Sequence, residues 1–293
     1  MATAQTAVAC RHAVRLEKAR VRDLILVGLT LSTGCVDAVT WLGLGKVFSA
    51  FMTGNLAFLG FSVGGAAGPS AMRVIAATGG FAVGAAVGAR IVHTGRDPET
   101  LWPRAVSLTL AVGLVLQAAF FVLWLAVSAH PADASGHVLA ALSGLAMGAQ
   151  TSAIFSLGVR AAFTTAATAT LAVLMGDLAG WKQPSEERTR LAATLVALVA
   201  GAATGAVLMT QASTWAPLFP LAVTAALLAA AVLHLQPPAR DASSEAEALQ
   251  VQLPRSANAI GDGGGRFHPP SVPSDRSRLT AHSQTKEKSC SSD

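Results

Sequence analysis

The sequence predicts an all-α fold: a polytopic membrane helix bundle of six to eight apolar segments arranged as two duplicated, inverted halves. Of 293 residues, 52% are hydrophobic and only 13% charged, where soluble domains carry about 25% charged residues. The mean hydropathy is +0.52. Most of the apolar segments approach the roughly 20 residues that a helix needs to cross about 30 Å of hydrocarbon. No ten-residue alternation of the outer-membrane barrel kind is present, so helices are the remaining way to satisfy the backbone in lipid.

Residues 1–23 form a basic segment carrying Arg11, Arg15, Lys18, Arg20 and Arg22. The apolar run that follows has no short core with a small-residue cleavage site and continues straight into the Asp37 region, so it is expected to be retained. The LSTGC piece at Leu31–Cys35 places its leucine one position too far from the cysteine for a lipoprotein signal. The membrane domain, residues 24–235, divides into halves 24–129 and 138–235. Segments Leu24–Leu44, Val47–Gly64, Ala71–Val92 and Ala105–Ala129 make the first half, and Val138–Gly158, Ala161–Gly180, Leu191–Thr210 and Ala216–Leu235 the second. From 236 to 293 the composition turns to Pro, Ser, Gly and mixed charge, with too little apolar surface to offset the entropy of ordering. A disordered, solvated tail is expected, with its basic residues scattered among acids rather than gathered for nucleic acid.

The halves are matched by spacing. First and fifth segments start 114 positions apart, second and sixth 114, third and seventh 120. Asp37 falls near the equivalent of Gln150 and Thr53 near Thr168. Gly80xxxGly84xxxGly88 falls near Gly201xxxGly205. Lipid gives helices no hydrophobic reason to associate, so small residues that let backbones approach supply much of the packing. These five glycines therefore mark the third and seventh segments as central packing helices.

Charge sets the topology. If all eight segments span from a cytoplasmic N-terminus, ten Lys and Arg lie inside and five outside; if the second and sixth are re-entrant or broken, the count becomes thirteen against two. The positive-inside rule favours the second arrangement. Each half then has three spans, and an odd number inverts one half relative to the other, as in many transporters with a midplane site. The expected location is the bacterial cytoplasmic membrane, with both termini cytoplasmic. Trp102, Trp181 and Trp215 stand at segment ends as expected interfacial anchors.

Polar residues inside apolar sequence mark the candidate site. A carboxylate at membrane depth costs roughly 2.5 to 3.5 kcal/mol, so Asp37 needs a partner, water or a substrate. It reads either as an ion or proton site or as a structural group bonded to Thr53 or Asn55. Asn55 follows Gly54, where a helix break would need a polar partner. Gln150 and Thr168 complete the candidate substrate- or ion-binding set. Asp177 is the only other acid within an apolar segment and stands near its end. Cys10, Cys35 and Cys290 form no disulfide framework or metal-ligand spacing, and His93, His130, His137 and His234 fall at segment ends or in loops. No metal or cofactor is expected.

The run GCVDAVTWLGLGKVFSAFMTGNL resembles the signature of the YoaK-like family of bacterial multi-pass membrane proteins, in which a glycine, an aspartate-alanine pair and a TGN element recur at this spacing. Residues 146–171, AMGAQTSAIFSLGVRAAFTTAATATL, resemble that family's second block, with Thr168 and Ala169 where the family shows a threonine-glycine pair. The resemblance covers about residues 20 to 235. It implies the fold and a membrane location, and no substrate or reaction. A transporter or channel for a small solute or ion is therefore weighed against an intramembrane enzyme using Asp37 and Asp177, and against a non-transporting scaffold. The non-enzymatic transporter reading is favoured because no His, Cys or Ser constellation accompanies the acids. Its expected partners are the lipid bilayer and a small solute or ion, with a homo-oligomer compatible and no nucleic acid.

Overall fold

The computed structural model describes residues 2–95, 100–129, 131–159, 167–180 and 186–236, with side chains from Arg15 onward. Among them are eight helices and no strand: α1 (Ala2–Gly43), α2 (Met52–Val63), α3 (Ala71–Thr94), α4 (Arg104–Ala126), α5 (Asp133–Phe155), α6 (Ala167–Ala179), α7 (Glu186–Gln211) and α8 (Leu218–Leu235). Six have the length and hydropathy to cross a membrane: α1 from Arg15, α3, α4, α5, α7 and α8. The chain is a multi-pass membrane protein. At 12 and 13 residues, α2 and α6 extend only about 20 Å. As described, both are short of a full crossing, so six of the described helices are candidate spans.

The basic residues 2–23 continue into the first span, since α1 runs unbroken for 42 residues. Residues 2–23 hold no Gly or Pro and are rich in Ala and Arg, both strong helix formers, so nothing stops the helix short of the membrane. At its far end Gly45 and Lys46 adopt φ of 75° and 67°, a left-handed turn that ends the helix and sends the chain back. Acidic first turns at Asp133 in α5 and at Glu186 and Glu187 in α7 suit the positive ends of those helices. The expected tail beyond Gln236 lies outside the described residues.

The two halves are interlocked. α3 runs along α5 and α1 along α7, α4 packs on α5 and α8 on α1, α2 leans on α3 and α6 on α7. α1 also crosses α5, and α4 meets α8. Glycines make the closest of these approaches. A Cβ built on Gly80 or Gly84 would enter the carbonyl oxygens of Ala141 or Leu145, and one on Gly144 or Gly148 those of Ala77 or Phe81. Across the α1–α7 seam, Gly201 abuts the Leu31 carbonyl, Gly205 the Cys35 carbonyl, and Gly34 the Leu198 carbonyl. Gly88 packs against Ser152.

Antiparallel packing gives the bundle two ends. At one, the middle of α1 and the start of α4 meet the finishes of α5 and α8, around Ile25, Leu29, Trp102, Val106, Ile154 and Leu235, with the start of α7 alongside through Arg190, 3.6 Å from Asp23. At the other, the finish of α1 meets the starts of α3 and α5 and the finish of α4, around Val39, Leu44, Val74, Trp124 and Leu139. The first end carries Arg15, Lys18, Arg20, Arg22, Arg90, Arg104, Arg188 and Arg190; the second has Lys46 and Arg73. We call them the basic end and the opposite end.

Trp102 is not the lipid-facing anchor expected. It is 1% exposed and donates its indole N–H to Ser107 Oγ at 2.9 Å, because the basic-end core closes over it. Trp215 is exposed, and Trp181 lies outside the described residues.

Candidate functional site

Where α1 crosses α5, helical spacing stacks polar groups into a layer. Thr33 and Thr40 stand seven residues apart on α1, and so do Ser143 and Gln150 on α5. Two turns return each pair to one helix face. Gln150 Nε2 donates to Thr33 Oγ1 at 2.9 Å, whose own hydrogen goes to the Leu29 carbonyl at 2.9 Å. With Thr33 acting as the acceptor, the amide orientation is settled, and Gln150 Oε1 remains buried with no hydrogen-bond partner. One layer away, Ser49 Oγ donates to Thr40 Oγ1 at 3.2 Å and shares a short hydrogen bond with Ser143 Oγ.

Asp37 organises the chain that supplies Ser49. Its Oδ1 accepts the backbone N–H groups of Ser49 and Ala50, each at 2.8 Å. The carboxylate thus gathers the amides leading into α2, while the left-handed turn at Gly45 and Lys46 directs them toward it. Asn55 is fully buried. It clasps Phe48 in both directions, accepting its N–H at 3.1 Å and donating to its carbonyl at 2.7 Å. Phe48 in turn stacks on Trp41, with ring centroids 4.6 Å apart.

The candidate residues are only partly brought together. Asp37 and Asn55 hold the same loop, but the partners expected for Asp37, Thr53 and Asn55, are replaced by main-chain donors. A returning backbone offers N–H groups in series, which a carboxylate binds more readily than side chains on the next helix. Thr53 is exposed on α2 and Thr168 is exposed on α6, so neither joins the layer. Gln150 belongs to it, yet bonds Thr33 rather than facing Asp37. Asp177 is on α6, whose Leu174 packs on Leu191 near the start of α7, at the basic end. Asp37 lies some 14 residues beyond the Asp23–Arg190 contact along α1, about 20 Å further on. The carboxylate pair an intramembrane enzyme would use is not assembled. Among the described residues no group of three or more metal-ligating side chains occurs.

A cavity of about 20 Å³ adjoins the layer, lined by Val36, Val39 and Thr40 of α1, Gln117 and Phe120 of α4, Ser143 of α5, and Pro217 and Pro220 at α8. That is room for one water-sized molecule. Gln117 is 8% exposed, and its Oε1 has no hydrogen-bond partner. A buried acceptor left unpaired costs about 1–3 kcal/mol. No Lys, Arg or His lines the space, so it suits an uncharged hydrogen-bond donor or a small cation and disfavours an anion. Gln117, Thr33, Thr40, Ser49 and Ser143 escaped the sequence reading. The signal for three of them, Thr33, Thr40 and Ser143, was present as the seven-residue spacing on α1 and α5; nothing local marks Ser49 or Gln117.

Comparison with known proteins places this fold. Residues 25–231 match the family described as "Protein of unknown function (DUF1275)". The chain belongs to the DUF1275 family. It is 35% identical over 162 residues to the UPF0700 transmembrane protein YoaK of Bacillus subtilis (strain 168), covering 55% of this chain and 69% of that relative. No solved structure matches. The DUF1275 match runs from within α1 to within α8, so the polar layer, the Asp37 loop and the cavity all fall inside it.

Proposed function

We propose that this DUF1275 chain is a transporter of a small uncharged or cationic solute. It binds the solute where α1 crosses α5 and exposes it in turn at the two ends of the bundle. The observation that carries this reading is a buried polar layer holding the unpaired Gln150 oxygen, beside a cavity lined by Gln117 with its own oxygen unpaired, between two halves that exchange the same contacts. Gly84 against Leu145 corresponds to Gly201 against Leu31; Gly88 against Ser152 to Gly205 against Ala38; Gly148 against Phe81 to Gly34 against Leu198. In each case α1 and α5 residues stand 114 positions apart and α3 and α7 residues 117. Duplicated halves with three long spans each are inverted, and such repeats rock about a midplane site. In this register Gln150 aligns with Val36 and Asp37 with Thr151, so the two polar residues are not equivalents.

Both ends carry a related closure. At the opposite end Arg73 of α3 donates to Asp133 of α5 at 3.0 Å and to the Leu44 carbonyl at 3.2 Å. At the basic end Arg190 of α7 lies 3.6 Å from Asp23 of α1. The arginines stand 117 positions apart, in register, and the aspartates 110, one helical turn short of it. Asp133 is 93% exposed, and a pair of that kind contributes about 1 kcal/mol or less. Such a bond can break in a working cycle. The excess of Lys and Arg makes the basic end cytoplasmic, in the inner membrane of a bacterium, with α2 and α6 as non-spanning elements.

Uptake into proteoliposomes across a broad solute panel tests the reading, with wild type set beside Gln117→Leu and Gln150→Leu. A solute whose uptake falls tenfold or more in both variants, at unchanged folded yield, is the expected result. Solute uptake untouched by both substitutions would remove the site from the pathway.

A further inference from the structure

The hydroxyl hydrogens beside the cavity are all committed. Thr40 Oγ1 gives its hydrogen to the Val36 carbonyl at 3.1 Å, so in its 3.2 Å bond with Ser49 it is the acceptor and Ser49 Oγ the donor. A hydroxyl has one hydrogen and two lone pairs. The short bond between Ser49 Oγ and Ser143 Oγ is therefore donated by Ser143, and what Thr40 and Ser143 have left for the cavity they line is lone pairs. Gln117 adds a buried amide oxygen with no partner. Pro217 and Pro220, also on the wall, have no N–H to give, which leaves the Gln117 amide nitrogen as the one uncommitted donor among the lining side chains.

Charge points the same way. Asp37 follows Val36 of the cavity wall and accepts the N–H groups of Ser49 and Ala50, yet among the described residues it makes no ion pair. A carboxylate within a span calls for a compensating charge. We propose that the ligand of this cavity is a single dehydrated monovalent cation, held by the oxygens of Thr40, Ser143 and Gln117 and balanced, without contact, by Asp37. Space of about 20 Å³ admits one ion and no organic solute. One carboxylate balances one positive charge, and Ca²⁺ or Mg²⁺ would need carboxylate ligands that the wall lacks. The proposal rests on the reading of this cavity as the transporter's binding site and names what enters it.

Thermal unfolding of the full chain in detergent measures this binding at equilibrium, with choline chloride exchanged stepwise for sodium, potassium or ammonium chloride at constant ionic strength. At least one of the three cations is expected to raise the melting temperature saturably, because a ligand that binds only the folded state stabilises it. Gln117→Leu and Ser143→Ala should each weaken the apparent affinity about tenfold or more. Asp37→Asn should weaken it about tenfold, the scale of a unit charge acting through protein, while Gln211→Leu, which removes an exposed amide, should leave it unchanged. Melting temperatures that do not distinguish any of the three salts from choline would make the cavity a water site and overturn the proposal. Unchanged affinity in Gln117→Leu, Ser143→Ala or Asp37→Asn would overturn it too. A saturable cation effect with no flux of cation or solute would support the cation site and remove the transport reading.

Discussion

At the scale of single residues, the buried acid and the buried amides do different work. Asp37 accepts two main-chain N–H groups at 2.8 Å, so it is satisfied by the loop it holds, whereas Gln117 and Gln150 each keep an oxygen without a partner. Asp37→Asn retains an acceptor of the same shape and should cost about 1 kcal/mol; Asp37→Leu strands two amides and should cost about 2–4 kcal/mol. Thermal unfolding in detergent checks this, and equal losses in the two variants would contradict the acceptor role. Asn55→Ala removes both Phe48 bonds and should fall near Asp37→Leu. The importance of Asp37 was legible in the sequence because a carboxylate in apolar surroundings is costly. Its partners were not, since backbone amides leave no residue-type signal. Gln117 went unnoticed for the converse reason: an uncharged amide in an apolar helix becomes informative only when folding leaves its oxygen unpaired.

At the scale of helices, packing rests on glycines at four-residue spacing, and their environments divide them. Gly84 and Gly201 lie against carbonyl oxygens of the neighbouring helix, while Gly79 has nothing within 4 Å. Gly84→Ala or Gly201→Ala should force α3 from α5 or α7 from α1 and sharply reduce folded yield. Gly79→Ala should be neutral or raise stability by up to about 1 kcal/mol, the helix propensity gain alone. Size-exclusion profiles and melting curves separate the outcomes; equal tolerance of all three would contradict the close seams. The spacing itself was readable from sequence, as were the six spans, because length and hydropathy decide what crosses a bilayer. What was not readable is which glycines face a partner: Gly79 and Gly80 are neighbours with opposite surroundings. The expected lipid anchor Trp102 failed likewise, since a segment end reads the same whether the core covers it or not.

At the scale of the whole molecule, the Lys and Arg distribution and the antiparallel seams give the same pair of ends. Between them lies a cavity of about 20 Å³, with one arginine–aspartate contact toward each side. Impermeant thiol reagent applied to intact cells should leave a cysteine placed at Arg104 unlabelled, because that end is cytoplasmic in the proposed orientation. The central claim is that the layer at the α1–α5 crossing opens alternately to the two sides, and it can be tested before any solute is known. Thr40→Cys, in a background where Cys10, Cys35 and Cys290 are replaced, puts one thiol on the cavity wall. Labelling is then followed from each face of oriented vesicles. Asp133→Asn should raise labelling severalfold from the side of Arg73 only, and Asp23→Asn from the side of Arg190 only, with melting temperatures nearly unchanged. Labelling that rises from both sides in one variant, or from neither side in both, would contradict alternating access at this site.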